Sequence, residues 1–248
     1  MTEIHPPAPI RLLSWNLHGF IGRGRAPDLG RTLAAVARLS PDIAALQEVD
    51  GRTRLGRGPF AFERLAEGLG YHLAEARTLR GRRPGTDYGH VLWSRWPILE
   101  AEMVRLPGGV EPRAAIDARV ETPHGPLRIL STHFSLNPRG RRAQARLLAE
   151  RLAAEPGPAL LLGDLNEWRA DGAVHRTLSA VLPAFARPRS WPAGRPVAAM
   201  DRLYANGGVS LLSGGVDALS VEASDHLPLV CEVTLRGPSS AEATSRRV

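Results

Sequence analysis

Apolar residues fall into short runs that stop abruptly at polar ones, most clearly at 159–162. There Ala159-Leu160-Leu161-Leu162 follows Pro-Gly-Pro and ends at Gly163-Asp164-Leu165-Asn166. A run too short for a helix and without alternation predicts a strand covered on both faces. Residues 10–15 make a similar run ended by Asn16, residues 42–47 one ended by Glu48, and residues 127–133 one closing on Thr132-His133. Further strands are expected at 71–76, 88–94, 98–106, 114–120, 200–204, 209–212 and 227–235, with 114–120 turning into 127–133 through Pro123-His124-Gly125-Pro126.

Helical spacing occurs between these runs. Asp28 is placed to cap a helix with Leu29, Leu33, Val36 and Ala37 on one face, closed by Ser40-Pro41. Phe62, Leu65, Ala66 and Leu69 mark a second, with Gly70 as its cap. Residues 139–154 form a third, offering Ala143, Leu147, Leu148 and Leu152 for packing, and 171–182 a fourth. The Pro- and Arg-rich stretch 183–196 predicts an irregular surface loop. One domain is expected over 1–236, with a disordered tail at 237–248. Strands that alternate with helices in places and run as hairpins in others predict α/β architecture with mixed sheets covered by helices.

Composition changes this picture in two respects. A single cysteine, Cys231, lies inside an apolar strand run, which excludes a disulfide framework. The N-terminus has no basic and apolar leader, and no apolar run is long enough to span a bilayer, so a soluble, cytoplasmic protein is expected; the sequence leaves the oligomeric state open, with a monomer as the expectation. The net charge of +7 would attract phosphates. All 32 basic residues are arginine, a bias suggestive of high-GC coding, and arginine holds phosphate in a bidentate manner whatever the reason for its abundance.

The polar residues that end the runs are the candidate chemistry: Asn16, Glu48, His133, Asp164, Asn166, Asp201, Asp225 and His226. Singly, each has an ordinary explanation; Asp164 and Asn166 would make an Asx turn. Being two residues apart, that pair also projects to one side while the backbone stays extended, where it could hold a water. Together the set is rich in oxygen, free of sulfur and includes two imidazoles, which suits a hard cation such as Mg²⁺ better than zinc.

These residues sit in motifs that resemble those of the endonuclease/exonuclease/phosphatase superfamily, which includes DNase I-like nucleases, deadenylases, inositol polyphosphate phosphatases and neutral sphingomyelinases. Ser14-Trp15-Asn16, Leu46-Gln47-Glu48-Val49, Ser131-Thr132-His133, Gly163-Asp164-Leu165-Asn166 and Ser224-Asp225-His226-Leu227-Pro228 occur in the family's order over nearly the whole chain. The resemblance implies a four-layer α-β-β-α sandwich of two mixed sheets with the site at one edge. It implies Glu48 as principal metal ligand, with Asn16 and Asp225 beside the metal. Asp164 would be the base toward water and Asn166 would position that water or a phosphoryl oxygen. His226, held by Asp201, would donate to the phosphoryl group, and His133 would contact phosphate or assist the leaving group.

Substrate choice is less legible. Gln47-Glu48-Val49-Asp50 departs from the Gln-Glu-Thr-Lys pattern of apurinic endonucleases, and Asp201-Arg202-Leu203-Tyr204 and Tyr88-Gly89-His90 resemble small stand-alone bacterial members. The expectation is a phosphodiesterase dependent on Mg²⁺, with Mn²⁺ as substitute, acting on nucleic acid. The alternatives are a phospholipid or inositol phosphate phosphoesterase, and a non-catalytic arginine-rich nucleic-acid binder. Arg139, Arg141 and Arg142 could clamp phosphates or form a solvated helix start; Trp168 and Trp191 could stack on a base or anchor packing.

Overall fold

The computed structural model describes residues 8–22, 26–70 and 72–236. The tail expected at 237–248 and the first residue of the strand expected at 71–76 lie outside the described residues. In chain order the elements are β1 (Ile10–Asn16), α1 (Leu29–Leu39), β2 (Ile43–Asp50), α2 (Ala61–Leu69), β3 (His72–Leu79), β4 (Tyr88–Ser94), β5 (Ile98–Leu106) and β6 (Arg113–Thr122). They continue with β7 (Gly125–His133), α3 (Pro138–Ala153), β8 (Ala159–Asp164), α4 (Ala173–Ser179), β9 (Ala184–Ala186), β10 (Asp201–Ala205), β11 (Val209–Val216) and β12 (Leu229–Leu235).

The strands form two six-stranded sheets, ordered β11-β12-β1-β2-β4-β3 and β5-β6-β7-β8-β10-β9. In each sheet one central pair is parallel, β1 with β2 and β7 with β8, and the remaining pairs are antiparallel. Alternation along each strand builds the layers. Leu12, Leu160 and Leu162 enter a core shared by the two sheets. Leu13 packs in a second core with Val36, Phe62 and Leu65 of α1 and α2, and Leu161 in a third with Leu148, Leu152 and Leu178 of α3 and α4. That is the expected four-layer sandwich, and it explains why 159–162 is apolar at every position. No helix among the described residues is long and apolar enough to cross a membrane.

Three local expectations need correction. The strand from 42 does not stop at Glu48: β2 continues to Asp50 across a bulge between Leu46 and Val49, with Glu48 itself left-handed at φ 55°. The last helix is shorter than 171–182: it begins after Gly172 and ends at Ser179, giving way to a turn before Pro183. The stretch 183–196 is irregular beyond residue 186, as expected, but it is not all surface loop: Ala184–Ala186 pairs with β10 and Ser190 is fully buried.

Candidate active site

The site forms where both sheets end on the same side. In the first sheet the parallel register sets Asn16 beside Gln47, next to the bulge that carries Glu48. A bulge bends its strand, and the left-handed backbone of a residue other than glycine costs on the order of 1 kcal/mol; such strain gathers at working sites. In the second sheet His133 of β7 and Asp201 of β10 flank Asp164 of β8 in one register row. Registered neighbours share a face, so three distant positions become one cluster.

Asn16 joins the sheets. Its Nδ2 donates to Glu48 Oε1 at 2.9 Å and to Asp164 Oδ2 at 2.9 Å, while its Oδ1 accepts from the His18 amide at 3.0 Å. Asp164 is only 1% exposed. Burial pushes its carboxyl up, the positive His226 and hydrogen bonds from Asn16 and Asn166 pull it back, and the Asp201 charge adds to the rise, leaving it at about 6. The Asx turn is formed, with the Asn166 amide donating to Asp164 Oδ1 at 2.9 Å. Asn166 is left-handed (φ 50°), so the extended-backbone premise fails there, and its Nδ2 donates to the Phe134 carbonyl at 3.0 Å. Both residues still line the same cavity.

His226 Nδ1 donates to Asp201 Oδ2 at 2.9 Å, and Ser190 Oγ donates to that same oxygen at 2.6 Å. Burial alone would lower the imidazole, but the charges of Asp201 and Asp164, with the Asp201 hydrogen bond, push it up to about 10. The loop bearing it is strapped to the end of β1. Trp15 Nε1 donates to the His226 carbonyl at 2.9 Å and Ser224 Oγ to the Asn16 carbonyl at 2.7 Å.

His133 is set differently. Its Nδ1 lies 3.0 Å from Arg113 Nη1, and its Nε2 lies 3.5 Å from Asp164 Oδ2 and 3.9 Å from Glu48 Oε1. A guanidinium can only donate, so Nδ1 accepts and the ring proton sits on Nε2, facing the carboxylates. Burial, reinforced by the charges of Arg113, His90 and His226, holds this imidazole well below its ordinary range. The site therefore carries one neutral and one protonated histidine.

Asn16, Glu48, His133, Asp164, Asn166 and His226 line one cavity of about 360 Å³, with Arg52, Tyr88, Arg113, Trp168 and Trp191 among its other walls. Asp201 stands behind His226, fully buried. Asp225 does not line the cavity: its Oδ1 is 3.5 Å from His18 Nδ1 and its Oδ2 accepts from Trp191 Nε1 at 3.3 Å. Among the described residues no three His, Cys, Asp or Glu side chains are grouped to enclose a metal ion. Glu48, with a quarter of its side chain exposed (25%), is the open carboxylate of the cluster.

Arg141 is not a clamp. It is buried, and its Nη1 donates to the Ser135 and Leu136 carbonyls. Arg139 and Arg142 are exposed and outside the cavity. Trp191 is anchored on Asp225, whereas Trp168, packed edge-on against it at 5.3 Å, is 59% exposed. Arg113 and Ser190 were invisible as site residues in the sequence; the one available signal for Arg113 is the 114–120 to 127–133 hairpin, which returns the head of β6 to the end of β7.

The profile of the Endonuclease/Exonuclease/phosphatase family matches residues 13–226. No curated protein matches the chain significantly. Among solved structures, an endonuclease/exonuclease/phosphatase from Beutenbergia cavernae superposes with a TM-score of 0.74 at 24% identity, covering 92% of this chain and 72% of the other. One from Bacteroides vulgatus gives 0.75 at 16% identity, covering 93% and 100%. D. rerio TDP2 complexed with a single-strand DNA product gives 0.70 at 18%, covering 92% and 100%. At these identities the structural likeness speaks for the fold.

Proposed function

The chain belongs to the endonuclease/exonuclease/phosphatase family, and on that footing we propose that it is a divalent-metal-dependent phosphodiesterase acting on nucleic acid. The family's chemistry is hydrolysis of phosphate esters, and its members generally use divalent metal ions. The observation that carries the reading is the Asn16 bridge, which ties Glu48 of one sheet to Asp164 of the other across a single cavity.

The donor set fits a hard cation. Mg²⁺ needs only one or two carboxylates and completes its shell with water and substrate oxygens, so an open, sulfur-free cluster suits it and a closed cage is unnecessary. Glu48 would hold it, with Asn16 beside it; Asp225 lies outside the cavity against His18 and Trp191 and would not be a direct ligand. When bound, the cation, Mg²⁺ or in its place Mn²⁺, neutralises charge on the phosphoryl group.

The remaining steps belong to the side chains. Asp164, raised to about 6, is ionised at neutral pH yet basic enough to take a proton from an attacking water. Asn166 would orient that water or a phosphoryl oxygen. His226, protonated and fixed through Nδ1 by Asp201, directs its Nε2–H to where negative charge develops. His133, neutral with its proton on Nε2, donates to a phosphoryl oxygen or the leaving group.

Nucleic acid is favoured over a lipid or inositol headgroup by Trp168, an exposed ring at the cavity that a base can stack on. TDP2, of like fold, was solved with a single-strand DNA product. A panel of single-stranded DNA, duplex DNA, RNA, phospholipids and inositol phosphates, each with Mg²⁺ and with Mn²⁺, tests the reading. Turnover of headgroups alone would overturn it.

A further inference from the structure

A second cavity, of about 520 Å³, is walled by Arg52, Arg54, Arg80, Arg82 and Arg83 and contains no acidic lining residue. Arg52 also lines the catalytic cavity, so the two concavities are neighbours through one side chain. The walls are held against each other. The Gly51 amide donates to the Asp87 carbonyl at 2.8 Å, and a Cβ at Gly51 would lie 2.2 Å from the Gly85 carbonyl oxygen. Asp87 gathers the 80–87 loop by accepting from the Gly81 amide at 2.8 Å and Arg80 Nη1 at 3.2 Å.

Arg52 is fixed by two bonds to Asp50, at 2.9 and 3.0 Å, and by the Tyr88 ring at 4.1 Å. Arg54, Arg82 and Arg83 are exposed and have no ion-pair partner among the described residues. By contrast, around Asp117 each of Arg119, Arg128 and Arg151 meets a carboxylate. Three uncompensated guanidiniums sharing one concavity repel each other, and an anionic chain relieves that repulsion.

We propose that this arginine groove is a backbone track that seats phosphates of a single nucleic-acid strand beyond the scissile one. The inference rests on the phosphodiesterase reading for what happens in the adjacent cavity. A walled concavity suits a strand better than a flat membrane surface, and exposed Trp168, supplied to the catalytic cavity by the other sheet, gives the stacking platform that accompanies basic single-strand channels.

The test is fluorescence anisotropy of labelled oligothymidylates from two to about twelve nucleotides long, in EDTA so that nothing turns over. Affinity should rise with length in the parent. In the Arg54→Ser/Arg82→Ser/Arg83→Ser variant it should fall at least tenfold at low salt, with a salt slope shallower by about two, at roughly 0.7 per lost single-strand contact. Arg→Lys changes at the same positions should keep the slope, because charge sets it. Length-independent binding, or a parental slope in the serine variant, overturns the proposal. So does tighter groove-dependent binding of duplex, or a variant that loses binding to phosphatidylserine vesicles while keeping the oligonucleotides. Hydrolysis of bis(p-nitrophenyl) phosphate with Mg²⁺ is scored separately: its absence removes the phosphodiesterase reading and leaves the binding result standing.

Discussion

Arg113 Nη1 stands 3.0 Å from His133 Nδ1, and this one contact decides which nitrogen of the histidine holds its proton. We expect ¹⁵N NMR of the ring to report the Nε2–H tautomer. Replacing Arg113 with Met removes both the donor and a neighbouring positive charge, so His133 should titrate higher and populate both tautomers. Activity should drop roughly tenfold to a hundredfold, as expected when a hydrogen-bond donor to the developing negative charge loses its orientation. An Nδ1–H tautomer in the parent protein would exclude this arrangement.

Asp201 and His226 should behave as one unit. A histidine raised from 6.5 to about 10 on folding contributes stability that is fully present below about pH 6.5 and lost as pH rises through about 10. Asp201→Asn should therefore lower the His226 titration, move the alkaline limb of kcat/KM toward acid, and flatten the fall in melting temperature between neutral and alkaline pH. With His226→Ala in place, the Asp201 change should cost little more in activity. Additive losses with an unshifted His226 titration would dissolve the pair.

The strand ends were legible because buried strands here are apolar up to the residue where they meet the cleft, as at Leu162 and Trp15. Glu48 was found for a partly mistaken reason: it sits in a bulge within β2, and nothing in Gln47-Glu48-Val49-Asp50 announces a left-handed residue. Asp164 and Asn166 share the cavity through an Asx turn, so the two readings that competed in the sequence describe the same atoms. Arg113 and Ser190 escaped notice because their meaning lies in contacts with His133 and Asp201 that only tertiary structure creates. Conversely, Arg141 had the look of a phosphate clamp, and its position on the buried face of α3 turned it into a loop anchor.

For the cation, Glu48→Gln preserves the shape that Asn16 recognises, since an amide oxygen can accept the same bond, while removing the charge. Activity should fall by roughly a hundredfold or more with the melting temperature nearly unchanged. EDTA should abolish turnover by the parent and Mg²⁺ restore it. Hydrolysis that survives chelation would count decisively against the metal assignment.

Asp164→Asn separates chemistry from binding. The new amide oxygen can still accept from the Asn166 amide, but its NH₂ would face Asn16 Nδ2, donor against donor, and cost about 1 kcal/mol of stability. Turnover should collapse by roughly two to four orders of magnitude while oligonucleotide affinity in EDTA persists. A parental rate would reduce Asp164 to a turn residue.

Arg202 offers a test of how the Trp168 wall is held. Its guanidinium is fully buried and donates to the carbonyls of Ala199 (2.8 Å), Arg169 (3.2 Å) and Glu167, so it fastens the loop that follows Asn166. In Arg202→Leu those acceptors lose charged donors inside the protein, and we expect a loss of about 2–4 kcal/mol in denaturant unfolding. The same loop presents the exposed ring of Trp168, so KM for an oligonucleotide should rise further than KM for a small phosphodiester that reaches only the catalytic cavity. Trp168→Ala should reproduce that rise without the loss of stability, because its ring is mostly in solvent. If Arg202→Leu weakens both substrates equally, the loop is a structural closure and Trp168 takes no part in recognition.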